Sequence, residues 1–586
     1  MSFSDLQNER QNRQPQSFVK PTSETSSSPS NSGTSIASAS QTVVSADGLY
    51  QVLPTLVEIR QTPSSGRGIF AKEKISRGSI IISTKPHVNV LSTKLLDAFC
   101  SACCAPAPPT GLKRCTRCRA LWYCNAACQN SDWTMHKHEC SALQKWAKSA
   151  PNEDVAIPSD AIRAMGRMLT RKKVEGLDSI WAKEVDGMQS HRSSMPTSAF
   201  ESHTQLSHFL VKYLGVSSPY ELAQYGIAAV ADLVDVISRF VTNTVTLTAP
   251  DLTPIGIAIS PPIALINHSC DPNTVIVFPH AADVPSKDEP LMQAVAIKDI
   301  SPGEEVTASY IDTTLHRLGR LQMLKESYNF DCQCSLCSDT TGLDPRESMW
   351  CPKSCGGMCP VPTEENPLAR CVKCKAAVSS TDAVLDALRV GQEALDKAAS
   401  VQFADIDKAK QLTSNMNPIL TSAGLTPSCH PLLAMTRLHQ SLLIATLPHP
   451  PTQDHLDETI RTATKAITGL SSVLTEGHPI RGIALAELGK LLIVDEPEPL
   501  DLSSPSAVEE NKKRYPPSGP PRLKLAYDTL VRARNELLIG FGSASDGGQV
   551  GRDVRECLVR VEAEVGTWKE GVKEALADSS RLKKVG

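Results

Sequence analysis

The cysteines of this chain are grouped, and the grouping constrains the fold more than any other feature. Nineteen are present among 586 residues, with eight in residues 100–140, three in residues 332–337 and five in residues 351–374. In a large chain that we expect to be intracellular, cysteines this close together are typical of thiolate ligands on metal rather than of disulfides. Isolated Cys429 and Cys557 are expected to be inert packing residues.

The first cysteine group contains four short ligand pairs. They are Cys100-x2-Cys103, Cys115-x2-Cys118, Cys124-x3-Cys128 and His136-x3-Cys140. Two ligands in such a pair can reach one ion from a single turn, and four pairs match two tetrahedral zinc ions. Since each ion then has four protein ligands, neither keeps an open position for catalysis, and both are expected to be structural.

Length and charge set the broad class of protein. A chain of 586 residues exceeds a single hydrophobic core and predicts several domains. With 60 basic and 63 acidic residues, the formal charge of -3 argues against a chain-wide attraction to nucleic acid or acidic membranes. Pro261 and Pro262 interrupt the apolar stretch near 255–266, so no membrane span is predicted. The polar N-terminus has no signal-peptide core, and we expect an intracellular protein.

Changes in composition divide the chain into segments. Residues 1–50 are rich in Ser, Thr and Gln and are predicted to be a disordered tail. A helical stretch is predicted at 141–240, and an array of helices beyond residue 380. The proline-rich segment 495–521 is interpreted as a loop or disordered insertion. Runs typical of strands occur at 56–59, 79–83, 275–278 and 294–297.

Four motifs point to chemistry. Residues 267–273 read Asn-His-Ser-Cys-Asp-Pro-Asn directly after an apolar run, so they begin where a buried strand ends and can line a pocket. Residues 303–310 read Gly-Glu-Glu-Val-Thr-Ala-Ser-Tyr, and residues 328–337 combine Tyr-Asn-Phe-Asp with three cysteines. Residues 66–70 read Gly-Arg-Gly-Ile-Phe, where the missing Cβ lets the backbone approach a ligand.

These motifs resemble those of the SET domain, and their order resembles the SET-and-MYND (SMYD) family of protein-lysine methyltransferases. Residues 267–273 and 303–310 are similar to the two halves of the SET pseudoknot, and residues 328–337 to the post-SET motif. Residues 66–70 are similar to the N-terminal SET glycine motif. The first cysteine group, with Tyr123 before Cys124, is similar to a MYND finger.

The resemblance implies an α+β multidomain fold. It consists of a β-rich SET domain with a pseudoknot, an inserted MYND zinc finger, a helical insert and a C-terminal tetratricopeptide-like helical domain. The implied segments are the SET N-terminal part 55–99, the MYND finger 100–140, the helical insert 141–240, the SET core 241–312, the post-SET zinc segment 313–340, a Cys-rich segment 341–380 and the helical domain 381–586.

Residue roles also follow from the resemblance. One finger zinc takes Cys100, Cys103, Cys124 and Cys128, the other takes Cys115, Cys118, His136 and Cys140, and a post-SET zinc takes Cys270, Cys332, Cys334 and Cys337. S-adenosylmethionine is expected to contact Gly66, Arg67, Gly68, Asn243, Asn267, His268, Tyr310 and Phe330. Asn243 is placed in the strand before residues 267–273, which we call the heptad. Tyr310 is expected to orient the lysine amine and the transferred methyl group, and Tyr328 to line the lysine channel.

The third cysteine group contains Cys351, Cys355, Cys359, Cys371 and Cys374. A zinc ribbon using Cys351 or Cys355 with Cys371 and Cys374 is one interpretation, since a tetrahedral ion takes four such ligands. Five cysteines for four places leave the ligand set undefined, and reduced cysteines in a surface loop are the alternative.

The sequence thus predicts an S-adenosylmethionine-dependent protein-lysine N-methyltransferase that acts on histone or non-histone proteins. The alternative is a catalytically silent adaptor that recruits Pro-rich peptide partners through the finger and the helical array. DNA binding through Lys113, Arg114, Arg117 and Arg119 is a weaker interpretation, because such charges usually form a solvated face. A monomer in the nucleus and cytoplasm is expected.

Overall fold

The computed structural model describes residues 41–42, 48–62, 65–192, 197–280, 288–339, 342–363, 367–379, 381–502 and 504–582. Most of the predicted N-terminal tail therefore lies outside the described residues. The described chain folds into two compact units. We call the described residues up to Ile311 together with Leu321–Cys334 the first unit, and Asp312–Arg320 with the described residues from Ser335 onward the second unit.

Strands are concentrated in the first unit. Their bounds are β1 Gln41–Thr42, β2 Val57–Thr62, β3 Gly66–Ala71, β4 Ile80–Thr84, β5 Val88–Leu91, β6 Lys113–Arg114, β7 Trp122–Tyr123, β8 Thr244–Thr248, β9 Pro254–Ile259, β10 Asn267–His268, β11 Thr274–Val277, β12 Met292–Ala296 and β13 Thr307–Ala308. They form three three-stranded sheets in the orders β1-β2-β3, β11-β12-β4 and β5-β9-β8, with two further pairs. Apolar residues such as Ile69, Ile82 and Val90 are buried in their shared core.

One strand pair differs from its neighbours because it is parallel. β10 pairs with β13 so that Asn267 is opposite Thr307 and His268 is opposite Ala308. A parallel pair needs a long crossover connection, which here contains β11 and β12. The pair therefore brings together two motifs that are far apart in the sequence.

The first unit also contains helices. Their bounds are α1 Ala126–Ser149, α2 Asp160–Glu175, α3 Ile180–Asp186, α4 Thr197–Leu214, α5 Pro219–Leu222 and α6 Val230–Asn243. A further helix, α7 Arg317–Tyr328, has residues in both units. Asn125 caps α1 by accepting the backbone N–H of Cys128, so this helix begins inside the first cysteine group. One face of α2 contributes Ile162, Met165 and Leu169 to the core.

The second unit is mainly helical. A short helix α8 at Ser335–Ser338 is followed by strands β14 Ser348–Trp350 and β15 Met358–Pro360, which pair antiparallel. The helices that follow are α9 Thr381–Val401, α10 Ile406–Ser422, α11 His430–Ala445, α12 Gln453–Val473, α13 Pro479–Leu492, α14 Pro505–Lys513, α15 Pro520–Gly540 and α16 Gly548–Leu582. Successive long helices pack against one another. No helix among the described residues is both long enough and apolar enough to span a membrane.

The proline-rich segment 495–521 differs from the sequence interpretation. It contains the helix Pro505–Lys513, and Ser504 caps that helix by accepting the N–H of Ala507. The buried side chain of Asn511 donates to the carbonyl of Ser518 and accepts from its N–H. These two hydrogen bonds tie the helix to the turn that follows, so at its described residues the segment is structured rather than a loop.

Candidate active site and metal centres

The parallel pair β10–β13 builds the centre of the candidate site. The backbone N–H of Tyr310, two residues beyond β13, donates to Nδ1 of His268 at 3.1 Å. The rings of the two residues lie 5.2 Å apart. The ring of Phe330 also contacts His268, with ring centroids 5.9 Å apart. Residues from all three downstream motifs therefore meet at one histidine.

Two tyrosines form a half-buried aromatic pair beside it. The hydroxyl of Tyr310 donates to the carbonyl of Ile266 at 2.7 Å, and that of Tyr328 donates to the carbonyl of Tyr310 at 3.2 Å. Their ring centroids are 5.0 Å apart. Burial raises the pKa of Tyr328 to about 12 and that of Tyr310 well above its usual value. Both side chains are therefore neutral phenols at physiological pH.

The glycine motif on β3 approaches the heptad closely. The side-chain amide of Asn267 donates to the carbonyl of Arg67 at 3.2 Å and to Oε1 of Glu305 at 2.7 Å. A Cβ at Gly68 would lie 2.4 Å from that Glu305 oxygen and 2.8 Å from the Asn267 amide nitrogen. Any larger residue at this position would therefore push the Asn267 amide and the Glu305 carboxylate out of their present places.

Arg67 and Asn243 contact one short backbone segment. The Arg67 guanidinium donates to the Gly187 carbonyl and to the Tyr50 hydroxyl, and the Asn243 amide donates to the Gln189 carbonyl at 2.7 Å. The expectation that Asn243 lies in a strand was wrong. It is the last residue of α6, and its amide also donates to the Arg239 carbonyl at 2.7 Å, as a residue at a helix end can.

Two polar residues of the site were missed by sequence reasoning. Asn273 is buried, donates to the Glu305 carbonyl at 2.8 Å and accepts the N–H of Thr307 at 2.9 Å, so it fastens the two motifs together. Burial raises the pKa of Glu305, whose carboxylate holds Asn267. Both residues stand inside the motifs already quoted, but only the pairing of those motifs reveals their partners.

Three sets of predicted metal ligands are brought together. The ligand atoms of each set lie within 4.8 Å of one another, and a tetrahedral ion with Zn–S distances of about 2.3 Å would separate its sulfurs by less than this. All nineteen cysteines are free thiols. The donor sets therefore fit zinc. They are Cys100, Cys103, Cys124 and Cys128; Cys115, Cys118, His136 and Cys140; and Cys270, Cys332, Cys334 and Cys337.

The histidine of the second set, His136, lies beside a carboxylate that is itself paired with an arginine. Nε2 of His136 lies 3.4 Å from the Cys115 sulfur, and Nδ1 lies 3.5 Å from a carboxylate oxygen of Glu139. Arg167 pairs with both Glu139 and Asp132. Burial opposes the charged form of Glu139, but the charge and hydrogen bond of Arg167 together with those of His136 outweigh burial and lower the pKa of Glu139 to about 2. A carboxylate in this position orients a histidine ligand.

The third set adjoins the candidate active site. The sulfur of Cys270, which is buried, lies 3.2 Å from Nε2 of His268. Cys332 and Cys334 follow Phe330 within a few residues, so the segment that supplies the aromatic side chains also supplies metal ligands. A fourth set, Cys351, Cys355, Cys371 and Cys374, lies in the second unit.

Part of the chain matches a known protein family and is similar to known proteins. The SET domain family model matches residues 66–311. The chain is 28% identical over 287 residues to histone-lysine N-methyltransferase ASHR1 of Arabidopsis thaliana, covering 48% of this chain and 55% of that protein. It is 30% identical over 287 residues to N-lysine methyltransferase SMYD2 of Gallus gallus, covering 47% of this chain and 58% of that protein. For SMYD2 of Homo sapiens the identity is 29% over 283 residues, covering 47% and 59%.

The chain thus spans little more than half the length of the relatives it matches. A solved structure of the SET domain of LSMT bound to lysine and AdoHcy aligns over 89% of each chain, with 12% identity and a TM-score of 0.28. Similarity at that level carries no argument about this chain.

Proposed function

Because the SET domain family model matches residues 66–311 and the chain is similar to the ASHR1 and SMYD2 lysine methyltransferases, we propose that it is an S-adenosylmethionine-dependent protein-lysine N-methyltransferase. The observation that carries the proposal is the half-buried cluster of His268, Tyr310, Tyr328 and Phe330, which joins three separate motifs at one point. A structural role alone does not require three motifs to converge on one histidine.

S-adenosylmethionine supplies an electrophilic methyl group when it is bound. The residues proposed to hold it are Gly66, Arg67, Gly68, Asn243, Asn267, His268, Tyr310 and Phe330. Gly68 leaves room for close backbone approach, and the Asn267 side chain is fixed beside it by Glu305. Both amide hydrogens of Asn243 are used by backbone carbonyls, so its carbonyl oxygen is the group left to accept a hydrogen bond from the cofactor.

The protein residues mainly position the lysine. A lysine has a reference pKa of about 10.4, so its amine must lose a proton before its nitrogen can form the new N–CH3 bond while the S–CH3 bond breaks. Tyr310 and Tyr328 provide a poorly hydrated channel wall, which favours the neutral amine. As neutral phenols they orient the amine rather than abstract its proton, and catalysis is mostly proximity.

The finer architecture belongs to the same proposal. Residues 100–140 would form a MYND finger with two structural zinc ions, and residues 328–337 a post-SET segment with a third. The helices from Thr381 onward would form a tetratricopeptide-like array. Finger contacts with Pro-rich peptides, a monomeric state and a location in nucleus and cytoplasm complete the proposal.

The name of ASHR1 describes a histone-lysine methyltransferase and that of SMYD2 an N-lysine methyltransferase, which favours histone or other protein lysines as the substrate class. The second candidate, a silent adaptor, is disfavoured because both site tyrosines and the Asn267–His268 pair are present and ordered.

The test is transfer of labelled methyl from S-adenosylmethionine to histones and to proteins of a whole-cell extract, with Tyr310→Phe as the control. We expect label on lysine side chains with the wild-type protein only. A wild-type protein that fails to bind S-adenosylmethionine in calorimetry would instead support the adaptor.

A further inference from the structure

The third cysteine group lies beyond the SET domain and belongs wholly to the second unit. Four of its sulfurs, those of Cys351, Cys355, Cys371 and Cys374, lie within 4.8 Å of one another. The separations between Cys351 and Cys374 and between Cys355 and Cys371 are both 3.5 Å. These distances far exceed the roughly 2.05 Å of a disulfide bond and match sulfurs arranged around one tetrahedral ion.

The structure also decides which of the five cysteines stands apart. Cys359 lies on β15 opposite Met349 of β14 and is fully buried in an apolar cluster with Leu420 and Leu425. It is not part of the four-sulfur group, although it neighbours Cys371. Cys374, by contrast, is exposed, so its place in the group is not a by-product of core packing.

Backbone N–H groups near the four-sulfur group point at its sulfurs. The N–H of Lys373 donates to the Cys371 sulfur at 3.4 Å, and that of Gly357 donates to the Cys355 sulfur. A Cβ at Gly357 would lie 2.8 Å from the Cys371 sulfur and 3.3 Å from the Cys355 sulfur. N–H groups aimed at sulfur stabilise thiolates, and the missing side chain lets the turn close over them.

Charge is the second, independent observation. Four thiolates on a divalent ion carry a net negative charge. Residues 348–379 contain the four cations Lys353, Arg370, Lys373 and Lys375 against the two carboxylates Glu364 and Glu365, a formal charge of +2. The ammonium of Lys373 donates a hydrogen bond to the backbone carbonyl of Cys355, a member of the four-sulfur group, at 3.0 Å. This excess of cations would offset the charge of a tetrathiolate ion.

We propose that Cys351, Cys355, Cys371 and Cys374 hold a fourth zinc ion, in a structural ribbon outside the SET domain. The two strands of the ribbon have three residues each and cannot form a core of their own. They attach to the helical array instead. The N–H of Trp350 donates to the Gly424 carbonyl at 2.7 Å, and the N–H of Thr426 donates to the Ser348 carbonyl at 3.2 Å. The ion therefore fixes the ribbon on the turn between α10 and α11.

The test is the zinc content of the full-length protein by elemental analysis, which does not depend on methyl transfer. We expect four zinc ions per wild-type chain and three in Cys374→Ala. Cys374→His should keep four, because an exposed position admits an imidazole and Cys3His is an established zinc set. The matched control Cys359→Ala, in the same ribbon, should also keep four.

Hydrogen exchange gives a second measurement. Residues 348–379 and the turn at Gly424 should lose protection in Cys374→Ala and regain it in Cys374→His. The proposal is overturned if the wild type holds three ions and Cys374→Ala also holds three, or if Cys359→Ala alone loses an ion. It is equally overturned if mass spectrometry of the freshly purified wild type finds disulfides joining Cys351 to Cys374 and Cys355 to Cys371.

Discussion

The Tyr310 hydroxyl has one defined partner, the Ile266 carbonyl, and it is held in an environment that keeps it protonated. Its ring contacts the rings of both His268 and Tyr328. A phenol fixed in this way can orient an amine, and removing its oxygen leaves the ring to fill the same space. Removing the hydroxyl oxygen of Tyr310 therefore separates the orienting function of the hydroxyl from the packing function of the ring.

We predict that Tyr310→Phe lowers the methyl-transfer rate by about 100-fold or more while cofactor affinity changes only a few-fold. Stability should fall by about 1 kcal/mol, since the Ile266 carbonyl loses its donor. Calorimetry with S-adenosylmethionine and single-turnover assays measure the two effects. Tyr213→Phe is the control, because that buried hydroxyl makes no hydrogen bond among the described residues. Equal loss of binding and transfer would show a structural role.

Arg167 supports the second metal set indirectly, because it pairs with Glu139, the carboxylate beside the ligand His136. It compensates two carboxylates, Asp132 and Glu139, that are largely buried. We predict that Arg167→Met costs about 3–5 kcal/mol, because it leaves buried charges unpaired. Denaturant unfolding measures this loss. Lys74→Met is the control, because its pair with Asp299 is exposed and its loss should leave the free energy of unfolding almost unchanged.

The same network predicts a pH dependence. The pKa of Glu139 is lowered to about 2 in the folded protein, so its stabilising contribution is complete above the ordinary carboxyl range and is lost as pH falls toward 2. In Arg167→Met the folded pKa should rise, and acid unfolding should begin at a higher pH. An unchanged acid midpoint would contradict the role assigned to Arg167.

At the scale of elements, strand β3 can lie close to the heptad because Gly68 of β3 has no side chain. We predict that Gly68→Ala weakens S-adenosylmethionine binding at least tenfold, because the new Cβ displaces Asn267 and Glu305. Gly303→Ala is the control: its φ of +83° makes alanine strained, at about 1–2 kcal/mol, but nothing lies within 4 Å of the added Cβ. Calorimetry and thermal unfolding separate the two outcomes. Similar affinities in the two variants would rule out the close approach as the cause.

The segment after Tyr328 is fastened to the heptad by Cys270. We predict that Cys270→Ser loses one zinc, binds the cofactor more weakly and exposes residues near Phe330 to protease, because a serine hydroxyl replaces a thiolate poorly on zinc. The MYND-like segment 100–140 should remain folded. Elemental analysis and limited proteolysis measure this. Full zinc content and wild-type protease resistance would mean that Cys270 is only a pocket residue.

At the scale of the whole molecule, all proposed cofactor residues lie in the first unit. A ligand that binds only the folded form stabilises it by about 2.7 kcal/mol at 100 times its Kd. We predict that S-adenosylmethionine increases hydrogen-exchange protection in the first unit and leaves residues 381–582 unchanged. Peptide-resolved exchange with and without cofactor tests this. Uniform protection of both units would show that they unfold cooperatively.

Local patterns made much of this protein predictable from sequence. Ligand pairs such as Cys100-x2-Cys103 depend on the geometry of one turn, and helical periodicity in residues 453–473 depends on one face of one helix. The motifs at 66–70, 267–273 and 303–310 could be read because their residue types are adjacent. These features require no knowledge of what packs against them.

Other features depend on contacts between distant residues, and only the tertiary structure decides them. The helical end position of Asn243, the helix Pro505–Lys513 and the exclusion of Cys359 from the fourth metal set were not apparent from spacing. Nor were the partners of Asn273 and Glu305, which exist because β10 and β13 pair in parallel across a long connection. The sequence by itself determined which groups can bind metal or cofactor. Strand pairing and core packing determined which of them meet, because these depend on backbone positions far apart in the chain.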